Sequence, residues 1–176
     1  TSVPNQIVIG YNTTGVGNSY TTIGNSNITA LYAGDDGGGY FYTQEVVTSS
    51  DRRIKKNIND LELGINFIEK LRPVKYNLKQ PTDYDDDLKT NLTWYKKNKK
   101  SREHSDYKLN KIQYGLIAQE VEAVLDEFSI SKNNNIVYIE DSGLYSLDYN
   151  KLIPSLIKSI QELNKLAEEQ QTKIDN

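Results

Sequence analysis

The feature that most constrains this chain is a break in its chemistry near residue 50. Residues 1–49 contain no Lys or Arg and carry many of the chain's Gly, Asn and Thr residues. The run Thr48-Ser49-Ser50-Asp51-Arg52-Arg53-Ile54-Lys55-Lys56-Asn57 ends that stretch, and charged, helix-patterned sequence follows it. A segment with few charges and many turn formers favours short strands and tight turns, whereas charged periodic sequence favours amphipathic helices. The chain therefore divides at 49/50 into two domains, 1–49 and 50–176, and its expected class is α+β.

The first half holds a weak repeat. Gln6-Ile7-Val8-Ile9-Gly10 and Tyr20-Thr21-Thr22-Ile23-Gly24 lie 14 residues apart, which places Ile9 with Ile23 and Gly10 with Gly24. One short strand per period with Gly/Asn turns suits a β-solenoid coil or an intertwined β-stalk. Each such coil exposes an apolar face and is stable only when stacked on others. The two copies read as the last rungs of a longer shaft, and the chain as part of a longer protein. Gly34-Asp35-Asp36-Gly37-Gly38-Gly39 breaks the pattern, and Tyr40 to Val47 reads as one more strand.

In the second half, Ile58 to Leu71 reads as a helical segment with Ile65, Ile68 and Leu71 on one stripe, stopped by Pro73. Val74 to Leu78 alternates as a strand. Residues 79–111 are polar, with Asp85-Asp86-Asp87 ahead of Lys96-Lys97-Asn98-Lys99-Lys100, and are expected to form a long hairpin or arm. Tyr114 to Val121 leads into a helix ending near Leu125. Ile136-Val137-Tyr138-Ile139 and Leu144-Tyr145-Ser146-Leu147 form a hairpin around Asp141-Ser142-Gly143. The tail, about 149–174, is helical. Ile153, Leu156, Ile160, Leu163, Ala167, Gln170 and Ile174 follow alternating steps of three and four, a heptad seam. That seam serves either a bundle of copies or the helix's packing on its own domain.

Composition bounds the function. Hydrophobic residues make up 36% of the 176, below the usual share for a compact monomer, so association between copies is expected. A net charge of −3 gives no reason to expect nucleic acid as a partner. The chain has no cysteine and one histidine, which leaves no thiolate or multi-His metal site, and no cofactor is expected. No apolar run approaches membrane-spanning length, and no signal peptide is expected at the N-terminus.

Chemistry concentrates at the boundary. Ser50 offers a hydroxyl nucleophile and Lys55 an amine five residues on, a pair that suggests self-cleavage at Ser49–Ser50. A lysine takes up a proton only as the free amine, so its reference pKa of ~10.4 must fall, through burial or neighbouring cations such as Arg52, Arg53 and Lys56. Asp51 orients the backbone or Arg53 better than it acts as a base. Spacing alone favours a blander reading, in which Ser-Asp is a helix N-cap and Arg-Arg-Ile-Lys-Lys a solvated face. Ser49 is a competing hydroxyl by proximity. His104, in the polar arm, reads as a surface residue.

The order of several motifs tips that balance. Ser50-Asp51-Arg52-Arg53-Ile54-Lys55 fits the pattern S-D-x-R-x-K; Leu71-Arg72-Pro73-Val74-Lys75-Tyr76, Gly115 to Val121 and Tyr149 to Leu163 then follow. Over residues 50–165 the chain resembles the intramolecular chaperone domains at the C-termini of phage tailspikes and fibres, the endosialidase-type or peptidase S74 family. The resemblance implies a homotrimer that guides its own upstream stalk into a trimeric β-helix. It implies autoproteolysis by Ser50 and Lys55, with Asp51 and Arg53 in support, and release of the fragment. Ile153, Leu156, Ile160 and Leu163 would form the trimer seam in a coiled-coil-like bundle. The implied setting is a virion appendage precursor made in a host cytoplasm. Other expectations are a permanent trimeric foot that never cleaves, and a receptor-binding tip.

Overall fold

A computed structural model describes residues 5–31, 39–92, 95, 106–132 and 134–175. The chain divides into two compact units, Thr1–Thr48 and Ser49–Asn176, and its class is mixed α+β.

In the first unit β1 (Ile7–Ile9) and β2 (Thr21–Ile23) pair in parallel, with Ile7 opposite Thr21, Val8 opposite Thr22 and Ile9 opposite Ile23. The 14-residue repeat is thus physical: each strand lies beside its equivalent one coil away. Asn25 Nδ2 donates to Tyr11 O at 2.9 Å across the same spacing, and Gly24 N to Ile9 O at 2.7 Å. Gly10 and Gly24 close the two strands with φ of 133° and 78°, a region that glycine enters without strain. No described residue of this unit is buried. The strand expected over Tyr40–Val47 does not form. That segment makes no ladder, and a strand's backbone groups need one. Phe41, Tyr42, Val46 and Val47 remain exposed.

The second unit has its own core. The helix expected from Ile58 to Leu71 shrinks to α1 (Ile65–Ile68). Asn57 sits at φ 52°, and Asn59 Nδ2 donates to Asn57 O at 3.3 Å in competition with helix, so the chain runs irregularly to Gly64. Phe67 of α1 is fully buried and meets Phe128 edge-on at 5.8 Å. Around it pack Leu63, Val121, Leu125, Val137 and Leu152.

β3 (Val74–Tyr76) pairs antiparallel with β4 (Gln113–Gly115), so Tyr114 and Gly115 belong to a strand that precedes the next helix. Between them the arm is no hairpin in its described part. It contains a 3₁₀ turn at Pro81–Asp83, α2 (Asp86–Asn91) and α3 (Asp106–Asn110). The acidic run opens α2, where Asp86 and Asp87 complement the positive helix end and Asp86 pairs with Lys89 at 2.8 Å. The basic run 96–100 and His104 lie outside the described residues.

α4 (Ala118–Glu127) runs two residues past Leu125. The hairpin of β5 (Val137–Ile139) and β6 (Tyr145–Leu147) forms around Gly143 at φ 80°. Asp148 caps the 3₁₀ turn Tyr149–Leu152 by accepting from Asn150 N at 3.0 Å. The chain continues from that turn into α5 (Ile153–Ile174).

α5 chooses its inward face by size. Ser155 and Ser159 are buried where α5 crosses α1, and Ser159 Oγ donates to Ser155 O at 2.8 Å, which satisfies the hydroxyl. Glu162 Oε2 accepts from Ile65 N at 2.8 Å. Its carboxylate sits where a Cβ on Gly64 would be, so a glycine opens α1. The heptad seam faces away: Ile153 is 50% exposed, Leu156 46%, Ile160 66% and Leu163 52%. Small polar residues fill the buried face, and the apolar stripe stays about half exposed.

Candidate functional site

Ser50 and Lys55 would lie roughly 17 Å apart in an extended chain. One 3₁₀ turn, Arg52–Ile54, folds them together, and Lys55 Nζ donates to Ser50 Oγ at 2.7 Å. The N-cap of that turn is Asp51, whose Oδ1 accepts from Arg53 N at 2.8 Å. Capping therefore occupies the Asp51 carboxylate and leaves the Ser50 hydroxyl to Lys55. The cap and the serine–lysine pair, which compete in the sequence, are both present on adjacent residues.

Arg53 returns to Asp51 with its side chain. Nε lies 3.1 Å from each carboxylate oxygen and Nη2 lies 2.7 Å from Oδ2. The Arg53 guanidinium, and after it the Arg53 backbone N–H, hold the Asp51 carboxyl below the usual carboxylate range. Asp51 in turn pushes Arg53 upward. The whole segment is exposed, Ser49, Ser50 and Lys55 included, and the 49–50 peptide lies in irregular chain.

A second feature joins the other motifs. A groove of about 600 Å³ is lined by Leu71, Val74, Gly115, Leu116, Tyr149 and Leu156, among others. Residues 71–76, 115–121 and 149–163, far apart in the chain, thus share one surface. Tyr149 Oη accepts from Leu116 N at 2.9 Å and leaves no room for a Cβ on Gly115. Arg72 binds Glu120 through Nε at 3.0 Å and through Nη2. The roles of Tyr149, Glu162, Gly64 and the Arg72–Glu120 pair escaped the sequence reading, because each depends on a partner tens of residues away. Motif order was the only signal for Arg72, Glu120, Tyr149 and Glu162, and Gly64 lies outside the motifs.

Among the described residues no helix is long and apolar enough to cross a membrane. No curated protein matches the chain. The match to known families begins at the first residue of the serine–lysine segment and ends before the β5–β6 hairpin. Residues 50–130 of this chain match the family model described as chaperone of endosialidase, Peptidase_S74.

Proposed function

We propose that the chain is a self-cleaving trimerisation chaperone of a viral fibre or tailspike, whose client is its own upstream β-stalk. The observation that carries the chemistry is the 2.7 Å contact between Lys55 Nζ and Ser50 Oγ at the first residue of the family match. Lys55, as the free amine, takes the Ser50 hydroxyl proton. Ser50 Oγ bonds to the carbonyl carbon of Ser49, the Ser49–Ser50 C–N bond breaks, and the Ser50 nitrogen leaves as an amine after gaining a proton. Water then opens the Ser49 ester, giving a Ser49 carboxylate and restoring the Ser50 hydroxyl. Desolvation favours a free amine over an ammonium, and a single chain leaves the pair exposed. Assembly supplies the cover, so cutting follows trimerisation.

The gain is one of timing. Non-local stalk contacts nucleate slowly, and three ends held together raise the effective concentration. Cutting afterwards leaves the stalk kinetically trapped. The precursor is made in the host cytoplasm, the stalk joins the virion, and the chaperone fragment is released. One observation favours a second reading, a permanent foot that never cuts: the serine–lysine pair is open to solvent in one chain. Intact mass separates the two. Self-cleavage gives a fragment beginning at Ser50 that Ser50→Ala abolishes without loss of assembly. An uncut wild-type trimer would refute the chemistry.

A further inference from the structure

The exposed apolar surface of α5 is wider than its heptad seam. In that seam Ile153 and Ile160 take the a positions, and Leu156 and Leu163 the d positions. The flanking e and g positions lie at the wet edge of a seam and are often charged. Here the first e position is Ile157, and at 52% exposure it is as open as the seam itself. The groove of about 600 Å³ opens at the same end of α5, with Leu156 as one of its walls and Leu152, Val74 and Tyr114 among the others. Seam and groove share Leu156 and so form one continuous apolar surface, the kind that marks an interaction site.

Heptad geometry says what covers that groove. Where parallel helices share a seam, a g residue of one chain faces the e residue of the next chain five positions further on. Leu152, one residue ahead of Ile153, takes the g position and already has helical backbone, with φ −83° and ψ −17°. Its counterpart five positions on is Ile157. Leu152 is a wall of the groove, so the same register that closes the seam brings the neighbour's Ile157 to the groove. The later pairs, Ser159 with Asn164 and Leu166 with Gln171, are polar or mixed. Apolar meets apolar only at the level where the groove opens.

We infer that the groove between β3–β4 and the start of α5 is a docking site for the next copy of this chain, and that its occupant is Ile157 of that copy. The inference rests on the proposed trimer, in which chains joined to one stalk run parallel. The contact is heterologous: each copy gives Ile157 to one neighbour and receives the other neighbour's in its groove, so the ring closes and the site is incomplete in one chain. Tyr114, exposed at the rim, adds a large apolar cover. Ile157→Lys sets an ammonium against this apolar surface and raises the concentration needed for assembly by about tenfold or more. Ile157→Leu keeps the apolar side chain and assembles like wild type.

The test uses the full chain. Sedimentation across a dilution series reads assembly of wild type, Ile157→Lys and Ile157→Leu. The chain has no cysteine, so a variant carrying both Tyr114→Cys and Ile157→Cys reacts with a short bis-maleimide only at the introduced thiols. Mass mapping of joined peptides from mixed heavy and light chains separates links between copies from links within one. Links from 114 to 157 between copies, with assembly weakened by lysine and kept by leucine at position 157, support the inference. Assembly of Ile157→Lys at wild-type concentration overturns it, and so does weakened assembly with no 114–157 link between copies, which would place Ile157 in the seam alone. The trimer stands in both cases. Wild type that stays monomeric throughout overturns the trimer as well.

Discussion

The two units of this chain solve the burial problem in opposite ways. Ser49–Asn176 closes a core of its own around Phe67, Val121 and Leu125, all nearly inaccessible to solvent. Thr1–Thr48 stacks one parallel rung and buries no described residue. Ile7, Ile9 and Ile23 are half exposed even within their paired strands. A solenoid rung gains stability from its neighbours along the stack, whereas a core gains it from within. On the function proposed above, the difference gives a chaperone a reason to be fused to its stalk, since one unit can fold before the other has anything to fold against.

The largest effect that would break this comparison comes from separating the units. Residues 49–176 alone are expected to melt cooperatively, and residues 1–48 alone to show no cooperative transition by circular dichroism. Within the folded unit, Phe67→Ala should remove about 3–5 kcal/mol, as expected for an aromatic lost from a closed core. A cooperative melt of the isolated N-terminal unit would show that its rung is self-sufficient, and the need for a chaperone would lose its physical basis.

The next effect concerns the two faces of α5. The outward stripe is expected to hold copies together, and the inward serines to hold α5 on its own domain. Glutamate at Ile153, Leu156 and Ile160 together should give monomers that do not cut, with Ser50 and Lys55 intact and the monomer's unfolding free energy little changed. Ser155→Leu should do the reverse, lowering unfolding stability by about 1–3 kcal/mol through overpacking against α1. Sedimentation and gel analysis on one sample decide the first part, and denaturant melts the second. Full cleavage by a verified monomer would detach cutting from assembly.

These contrasts show where sequence reading succeeds. The 14-residue period was legible because paired glycines and isoleucines recur at the positions that a stacked coil repeats. The β5–β6 hairpin was legible from Asp141-Ser142-Gly143, where glycine permits the turn. The apolar stripe of α5 was visible, but not which face the domain would take, because buried Ser155 and Ser159 carry no hydrophobic signal. The strand at Tyr40–Val47 failed because β-propensity describes a surface that must still find a partner. The helix over Ile58–Leu71 formed only at Ile65–Ile68, because a few apolar residues at the right spacing do not outweigh Asn57, Asn59 and Asp60. At the site, the sequence already offered Asp51 as a partner of the backbone or Arg53 rather than as a base, whereas its Oδ1 capping the turn at Arg53 N became visible only with the geometry.

The smallest expected effect tests how the folded unit joins two of its motifs. Arg72, from the segment before β3, and Glu120, from the first turn of α4, form an exposed pair. The Arg72 guanidinium holds the Glu120 carboxyl below its usual range. A carboxyl lowered on folding contributes stability that is fully present above its unfolded pKa, and this is lost as pH falls through the lower folded value. Glu120→Gln should therefore lower the melting temperature slightly near neutral pH, by less than Ser155→Leu does. The difference from wild type should vanish in acid and shrink in high salt, where exposed pairs are screened. Calorimetry across pH at two ionic strengths reads both trends. A difference that persists undiminished in acid would mean that Glu120 acts through packing against the motif rather than through its charge.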